Sequence, residues 1–343
     1  MAGEKVAVAL SGGMDSAVCA ALLLKKGYQV LGVTMHLTRS AATSPVDRAH
    51  SIAARLGIPH YVVDFSSEFE DKVIDPFCLQ YSSGETPNPC VACNRDLKFG
   101  LLLDHIKKLG ARFLATGHYA RIYGNGSEYH LCKAYDTFKD QTYFLYTLKP
   151  DILPSVLFPI GGLLKQEVAK LADDYSLPVS VDDESHDICF MGGANYRSAL
   201  GSRISTPPGK VYDISGKEAG THSGISNYTI GQRHGLNLGQ PERLYVIRID
   251  RDTNSIIVGP ESCLEKKSLI AGSINWISGS FPGDRLNITA KIRYGSTETP
   301  VSLSPCGDNL EVLFSSPVKA VSPGQSIVFY SGDDVLGGGI IHS

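Results

Sequence analysis

The segment Lys5-Val-Ala-Val-Ala-Leu-Ser-Gly-Gly-Met-Asp-Ser16 decides the fold of this chain. A short apolar run ends at Ser11-Gly12-Gly13, and Asp15-Ser16 then open a stretch rich in alanine and leucine. This order predicts a strand, a tight glycine turn and the N-terminus of a helix. Such a turn directs several backbone N–H groups and the positive end of the helix at one point, which suits a polyphosphate.

The residues from Ser11 to Ser16 distinguish this turn from two other nucleotide motifs. Neither GxxxxGK[ST] nor GxGxxG occurs in the chain. The turn resembles instead the SGGxDS pyrophosphate loop (PP-loop) of the ATP pyrophosphatase families, in which ATP is cleaved between its α and β phosphates. We expect Asp15 to hold Mg²⁺ against the phosphates. The alternative is an ordinary glycine-rich turn between a strand and a helix.

The first part of the chain predicts an α/β fold. Residues 1 to about 120 alternate apolar strands with helical stretches, which indicates a parallel sheet covered on both faces. Ligands bind such sheets at the carboxyl ends of the strands, where Ser11, Met35 and Gly117-His118 fall. His118 is read either as a structural histidine or as a nucleotide or substrate contact. The predicted helices span Ser16–Lys26, Asp47–Leu56, Glu68–Tyr81, Asn94–Leu109 and Lys165–Tyr175.

The second part of the chain predicts β structure. From about Ser205, glycine, proline, serine and β-branched residues dominate, and short strands alternate with turns. This texture predicts a small mostly β domain followed by a C-terminal β-barrel. We expect three domains, with a PP-loop catalytic domain at 1–203, a small central β domain at 204–266 and a C-terminal barrel at 267–343.

Composition narrows the class of protein. The 343 residues carry a net charge of −3, so an RNA partner would need a local basic surface rather than a global positive field. No run of eighteen apolar residues occurs and the first strand begins at Lys5, so we expect no membrane span, no targeting segment and a cytoplasmic protein. Eight cysteines without secretory features favour metal or redox chemistry over structural disulfides.

The cysteines form one notable constellation. Residues 86–93, Thr-Pro-Asn-Pro-Cys-Val-Ala-Cys, combine a stiff proline loop with a CxxC pair. We predict Cys93 at or just before a helix N-terminus, whose field lowers a thiol pKa. A lone CxxC is a redox pair, half a zinc site or an iron–sulfur anchor, and two cysteines cannot close a structural zinc site. Cys189 is the natural third member, while Cys19 and Cys78 are predicted to lie in the core.

Further short blocks complete a family pattern. They are Thr86–Phe99, Gly117–Arg121, Lys139–Tyr146, Asp187–Gly192, Thr229–Arg233, Lys291–Tyr294 and Pro323–Gln325. With these blocks in order, the chain resembles the tRNA-specific 2-thiouridylases of the MnmA type from end to end. The resemblance implies a sulfur-transferring enzyme that adenylates the C2 oxygen of the wobble uridine, position 34 of tRNA. Sulfur then replaces that oxygen, giving 2-thiouridine, AMP and pyrophosphate.

The resemblance also implies roles for individual residues. Cys189 carries a persulfide, and Cys93 is the nucleophile that releases sulfide or forms a Cys93–Cys189 disulfide; Asp15 completes the predicted catalytic group. The implied ATP contacts are Ala9, Leu10, Ser11, Gly12, Gly13, Met14, Asp15, Ser16, Met35 and Gly117. The implied tRNA contacts are Asn88, Pro89, Cys90, Lys139, Asp140, Gln141, Arg293 and Tyr294.

Cofactors and partners follow from the same resemblance. It implies ATP with Mg²⁺, the anticodon loop of tRNA, and a sulfur-relay protein or cysteine desulfurase; we expect a monomer. Many family members carry aspartate where this chain has Cys90, so Cys90, Cys93 and Cys189 could instead hold a 4Fe–4S cluster. The competing hypotheses are a different PP-loop tRNA-modifying ligase, which would not need Cys93 or Cys189, and a non-catalytic RNA-binding protein.

Overall fold

The structure is a computed structural model. It describes residues 3–38, 44–126, 128–179, 201–204, 206–236, 238, 243–283 and 287–342. Cys189, the predicted persulfide carrier, and the Asp187–Gly192 block lie outside the described residues.

A parallel sheet forms the first layer of the molecule. Its strands are β1 (Lys5–Ala9), β2 (Gln29–His36), β3 (His60–Asp64), β4 (Phe113–Ala115) and β7 (Val156–Leu157), in the order β3-β2-β1-β4-β7. The central strand β1 is buried on both sides, with Val6 and Val8 in one apolar cluster and Ala7 in another. Continuous apolar sequence is what a strand covered on both faces requires. The predicted α/β fold is confirmed.

Helices cover the two faces of this sheet. On the face of Val6 and Val8 lie α1 (Met14–Lys25), α2 (Ser44–Leu56) and α7 (Lys165–Asp174). The opposite face carries two longer helical stretches, each interrupted by π-helix. The first comprises α3 (Ser66–Phe69), a π-helix (Glu70–Ile74) and α4 (Asp75–Ser82); the second comprises α5 (Pro89–Ala92), a π-helix (Cys93–Leu102) and α6 (Leu103–Lys108).

The helix that carries the CxxC pair starts earlier than predicted. The sequence predicted it over Asn94–Leu109, but it begins at Pro89. Asn88 is the N-cap, since its side-chain oxygen accepts a hydrogen bond from the Cys90 N–H at 3.2 Å. Proline is well tolerated at the first helical position, because its missing N–H has no partner there. The prediction that Cys93 lies at or before the N-terminus is therefore wrong; it lies four residues inside.

The predicted C-terminal barrel is confirmed. Its strands are β12 (Glu265–Trp276), β13 (Ile288–Lys291), β14 (Thr299–Cys306), β15 (Asn309–Lys319), β16 (Ser326–Ser331) and β17 (Asp334–Ile341). The order β12-β15-β14-β13-β16-β17 is closed by pairing of β12 with β17. A hairpin from the first region, by which we mean residues 3–179, extends this sheet. It consists of β5 (Ala120–Asn125) and β6 (Glu128–Lys133), and it pairs with the barrel where Cys132 meets Asp334. The sequence did not predict that hairpin.

A small sheet lies between the two larger parts in sequence. Its strands are β8 (Gly209–Asp213), β9 (Glu218–His222), β10 (Tyr245–Asp250) and β11 (Ser255–Gly259), in the order β10-β11-β8-β9. It has its own apolar cluster, which includes Val246 and Ile256. The exact domain boundaries stay predictions.

The barrel and the first region share a core. Tyr143 and Tyr146 of the first region lie in the same buried cluster as Val328 and Tyr330 of the barrel. The Tyr143 hydroxyl donates a hydrogen bond to the Ser326 carbonyl at 2.7 Å. A common apolar core resists separation, so the barrel is held against the first region. In the described part of the chain, no helix is both long and apolar enough to cross a membrane.

Candidate active site

The glycine turn after β1 is tied together by its own serines. The Ser16 hydroxyl donates to the Gly13 carbonyl at 3.0 Å and accepts from the Ser11 N–H at 3.2 Å. Gly12 has φ +82°, and a Cβ there would lie 2.7 Å from the Pro45 carbonyl oxygen. Only glycine fits that position without strain. The turn therefore has one defined shape, with Gly13 immediately before the first residue of α1.

Asp15 lies in the first turn of α1 and has two partners that its sequence pattern did not indicate. Its Oδ1 accepts hydrogen bonds from Lys165 Nζ at 2.8 Å and from the Tyr119 hydroxyl at 2.9 Å. Lys165 is the first residue of α7, directly beside the partial positive charge of that helix end. A cation is unfavourable there. That placement was the sequence signal that could have identified Lys165.

Other predicted nucleotide contacts meet the glycine turn. A Cβ on Gly117 would lie 2.8 Å from the Asp15 carbonyl carbon and from the Ser16 nitrogen, so the two backbones are in direct contact. Met35 is half-buried near the carboxyl end of β2, which pairs with β1. Ala9 ends β1, and the Leu10 N–H bonds the Val33 carbonyl at 2.9 Å. These residues therefore share one edge of the parallel sheet.

A polar network joins this edge to the CxxC helix. Lys98 Nζ donates to Asn94 Oδ1 at 2.9 Å and lies 3.3 Å from His118 Nε2. Since an ammonium can only donate, His118 Nε2 accepts and Nδ1–H donates to Thr116 Oγ1, 2.7 Å away. Burial, and then the nearby Lys98 charge, lower the pKa of His118 well below its usual value. His118 is therefore a neutral link between the sheet edge and the helix.

Cys90 and Cys93 lie on the same helical stretch. Their three-residue spacing puts the two thiols on one side of the helix. Both side chains are half-buried, and Cys93 packs against the apolar cluster that includes Ala7, on the face of the sheet opposite α1. Among the described residues, no group of three histidine, cysteine, aspartate or glutamate side chains is arranged to hold a metal ion. As predicted, Cys19 and Cys78 are core residues.

The Lys139-Asp140-Gln141 segment is built into the fold. Asp140 is 5% exposed, and its carboxylate accepts hydrogen bonds from Ala134 N–H and from the Thr142 hydroxyl. Gln141 Oε1 accepts from the Tyr119 N–H at 3.0 Å. Lys139 is half-buried beside them. Because both oxygens of the Asp140 carboxylate bond groups of the protein, this side chain is suited to holding the segment in place.

The barrel brings Arg293 and Tyr294 to the same region. The ring of Tyr294 lies 4.6 Å from the ring of Phe144, and the Phe144 carbonyl accepts from Asn94 Nδ2 at 3.1 Å. Tyr294 is 42% exposed, and Arg293 is exposed next to it. The structure therefore places these two predicted RNA contacts close to the CxxC helix.

A turn of the barrel also fixes the loop before Cys90. The Thr86 N–H donates to the Pro323 carbonyl at 2.9 Å, and Gln325 Nε2 donates to the Thr86 carbonyl at 2.8 Å. Gly324 lies between them with φ +86°, and a Cβ there would lie 3.0 Å from Glu85 Cβ. The Pro323–Gln325 block thus has a structural role that its sequence did not reveal.

Comparison with protein families gives three adjacent matches. Residues 4–193 match the tRNA methyl transferase HUP domain, residues 197–260 the tRNA methyl transferase PRC-barrel domain, and residues 266–341 the aminomethyltransferase beta-barrel domain. A solved structure of a predicted subunit of tRNA methyltransferase from Methanocaldococcus jannaschii has 18% identity and a TM-score of 0.34, over 50% of this chain and 76% of that one. That structural likeness is too slight to support an argument.

Relatives of full length carry one name. The chain is 44% identical to the tRNA-specific 2-thiouridylase MnmA of Dehalococcoides mccartyi, over 98% of this chain and 97% of the relative. It is 41% identical to the tRNA-specific 2-thiouridylase MnmA of Pelotomaculum thermopropionicum, over 100% of this chain and 98% of the relative. The resemblance seen in the sequence is confirmed. Because these relatives match it from end to end, the chain belongs to the tRNA-specific 2-thiouridylase family.

Proposed function

We propose that this chain is a tRNA-uridine 2-sulfurtransferase that uses ATP to replace the C2 oxygen of the wobble uridine with sulfur. The observation that carries the proposal is the chain of contacts between the glycine turn and the helix that carries Cys93. The glycine turn touches Gly117, and His118 and Lys98 continue from there to the helix of Cys93. These contacts support a nucleotide-activation site next to a thiol site, which is the arrangement that sulfur transfer requires.

The first step activates a poor electrophile. Uridine O2 attacks the α-phosphorus of ATP, the bond to the β-phosphate breaks, and pyrophosphate leaves. Backbone N–H groups of the Ser11–Ser16 turn and the N-terminus of α1 would hold the departing pyrophosphate. Lys165, bonded to Asp15 at 2.8 Å, adds a positive charge there. Mg²⁺ bound near Asp15 would neutralise further phosphate charge.

The second step delivers sulfur. The Cys93 thiolate attacks the Cys189 sulfur of a Cys189 persulfide, so the S–S bond breaks, hydrosulfide leaves and a Cys93–Cys189 disulfide forms. Hydrosulfide attacks C2 of the adenylated uridine, and the C2–O bond breaks as AMP departs. A thiol reductant then restores both cysteines. A sulfur-relay protein or cysteine desulfurase would reload Cys189.

The tRNA surface combines the first region and the barrel. Single-stranded loop bases are recognised by stacking and by hydrogen bonds to their exposed edges. Arg293 and Tyr294 offer a cation and a partly exposed ring close to Phe144, and Asn88, Pro89 and Cys90 open the thiol-bearing helix. We assign Lys139 and Gln141 to the same surface.

The test is thiolation by purified protein. Unmodified tRNA is incubated with ATP, Mg²⁺ and a persulfide donor, and its nucleosides are analysed by mass spectrometry. We expect 2-thiouridine together with AMP and pyrophosphate release that depends on tRNA. Turnover without a thiolated base would contradict the proposal and favour another PP-loop ligase; RNA binding without AMP formation would indicate a non-catalytic protein.

Cysteine variants test the thiol chemistry, and iron analysis separates the persulfide route from the cluster route. Cys93→Ser and Cys189→Ser should abolish thiolation, whereas Cys306→Ser is the matched control because that thiol is exposed on the barrel. Iron and sulfide analysis of protein purified without oxygen tests the cluster hypothesis. If the protein holds stoichiometric iron and Cys90→Asp removes both the iron and the activity, the cluster route replaces the persulfide route.

A further inference from the structure

Lys98 is a charged side chain to which neither the sequence motifs nor the family resemblance gave a role. It is half-buried and donates hydrogen bonds to Asn94 Oδ1 and toward His118 Nε2, both of which are uncharged acceptors. No carboxylate in the described ranges pairs with it. A half-buried ammonium without a counter-ion is costly, so the site favours an anionic ligand.

The π-helix gives Lys98 its direction. In an α-helix, residues 93 and 98 would point about 140° apart, since each residue turns the helix by about 100°. Residues 93–102 are π-helical, and hydrogen bonding from i to i+5 puts Lys98 about one turn beyond Cys93, on the same side. The local geometry therefore turns the charge toward the side of the thiol.

The contacts of His118 bring the Lys98 ammonium near the Ser11–Ser16 turn. His118 follows Gly117, whose backbone touches the Asp15 and Ser16 backbone in the first turn of α1. Lys98 Nζ lies 3.3 Å from His118 Nε2. Because burial keeps His118 neutral, it orients the ammonium without competing for an anion. The ammonium thus lies between His118, which follows Gly117, and Asn94, which follows Cys93.

We propose that Lys98 binds the α-phosphate of the adenylate, the group that joins the activated base to AMP and then leaves with it. The proposal rests on nucleotide activation at the Ser11–Ser16 turn. When O2 attacks, negative charge grows on the α-phosphoryl oxygens, and it stays on AMP as the C2–O bond breaks. A fixed ammonium stabilises that charge in both steps.

The test compares two ligands that differ only in the phosphate. AMP and adenosine are titrated into the full-length protein by calorimetry, with wild type, Lys98→Met and Lys98→Arg. Loss of a charged hydrogen bond predicts about 10- to 100-fold weaker AMP binding by Lys98→Met. Adenosine binding should not change, and Lys98→Arg should bind AMP within a few-fold of wild type. Lys107→Met is the matched control, because Lys107 lies on the same helical stretch but is exposed and paired with Asp104.

Several results would overturn the assignment. Equal AMP affinity in wild type and Lys98→Met excludes a phosphate contact, and so does absence of AMP binding by wild type. An equal loss of AMP and adenosine affinity makes Lys98 a structural residue. The thiolation assay on wild type is read separately. If Lys98→Met weakens AMP binding but wild type forms no 2-thiouridine, the phosphate contact stands and the proposed function is contradicted. If Lys98→Met binds AMP as wild type does and wild type forms 2-thiouridine, the proposed function stands and the phosphate contact is contradicted.

Discussion

Asp15 is the residue on which the activation step depends most directly. Its carboxylate holds Lys165 at 2.8 Å and Tyr119 at 2.9 Å beside the glycine turn. Asp15→Asn removes the charge that orients Lys165, so tRNA-dependent pyrophosphate release should fall about 100-fold. Tyr119→Phe removes one hydrogen bond and should cost less than tenfold. A radiometric pyrophosphate assay measures both, and wild-type release by Asp15→Asn would exclude its role.

Gly117 is the second residue with a sharp expectation. A Cβ at this position meets the Asp15 and Ser16 backbone at 2.8 Å, and backbone cannot rotate away as a side chain can. Gly117→Ala should therefore destabilise the protein by about 1–3 kcal/mol and weaken ATP binding. Gly162→Ala is the matched control, because a Cβ there has open space within 4 Å. Equal thermal stability and equal ATP affinity of the two variants would refute the contact.

His118 predicts how stability depends on pH. Its pKa is lowered well below 6.5 by burial and then by Lys98, so the unfolded chain binds a proton more readily than the folded one. The contribution of neutral His118 to the free energy of unfolding is therefore complete above the pKa that His118 has in the unfolded chain, and it is lost as the pH falls below that pKa. Urea unfolding should show a free energy of unfolding that decreases from pH 7 to pH 5.5. The decrease should be smaller in His118→Gln, and an unchanged slope would contradict the assignment.

At the scale of elements, the Pro323–Gln325 turn holds the loop before the CxxC helix in place. Gly324 and Gly332 both have positive φ, at +86° and +60°, so alanine strains either backbone. Only at Gly324 would the new Cβ also meet a neighbour, 3.0 Å from Glu85 Cβ and 3.1 Å from the Thr86 nitrogen. Gly324→Ala should lower thiolation at least tenfold more than Gly332→Ala does, measured by 2-thiouridine yield. Equal yields would show that this turn does not position the loop.

The elements differ in how far their sequence predicted them. The strands β1 to β4 and the helix α1 followed from local patterns, because apolar runs, glycine turns and helix starts are short-range signals. The two-residue strand β7 was not predicted. The start of the thiol helix was missed, since Asn88 and Pro89 were read as loop residues rather than as a cap and a first helical residue. The pairing of β6 with β17 was missed because it joins residues about two hundred positions apart.

The candidate site shows the same division. The glycine turn and the CxxC pair are each a continuous stretch of sequence, so both were identified from local patterns, and the family resemblance then gave them roles. Lys165 reaches Asp15 across 150 positions, and Lys98 reaches His118 across 20. Such pairs depend on how helices and strands pack, so the sequence can mark Lys165 as unusual at its helix N-terminus but does not indicate which residues meet. The role of Cys189 stays a prediction, as it lies outside the described residues.

At the scale of the whole molecule, the first region and the barrel should unfold together. They share one buried cluster, which includes Tyr143 and Tyr330, and a common core makes unfolding cooperative. Trp276 is the single tryptophan and lies in β12, so its fluorescence reports on the barrel. Circular dichroism at helical wavelengths reports on the first region, which carries α1 to α7. The two thermal midpoints should coincide, and separate transitions would contradict a shared core.

The central claim is that ATP makes the C2 oxygen of uridine a leaving group. A single-turnover reaction with tRNA carrying ¹⁸O at C2 of the wobble uridine follows that oxygen directly. The account predicts that the label appears in the phosphate of AMP, one atom for each 2-thiouridine formed, by mass spectrometry of both products. Unlabelled AMP formed alongside 2-thiouridine would contradict it, because the oxygen would then have left without being adenylated.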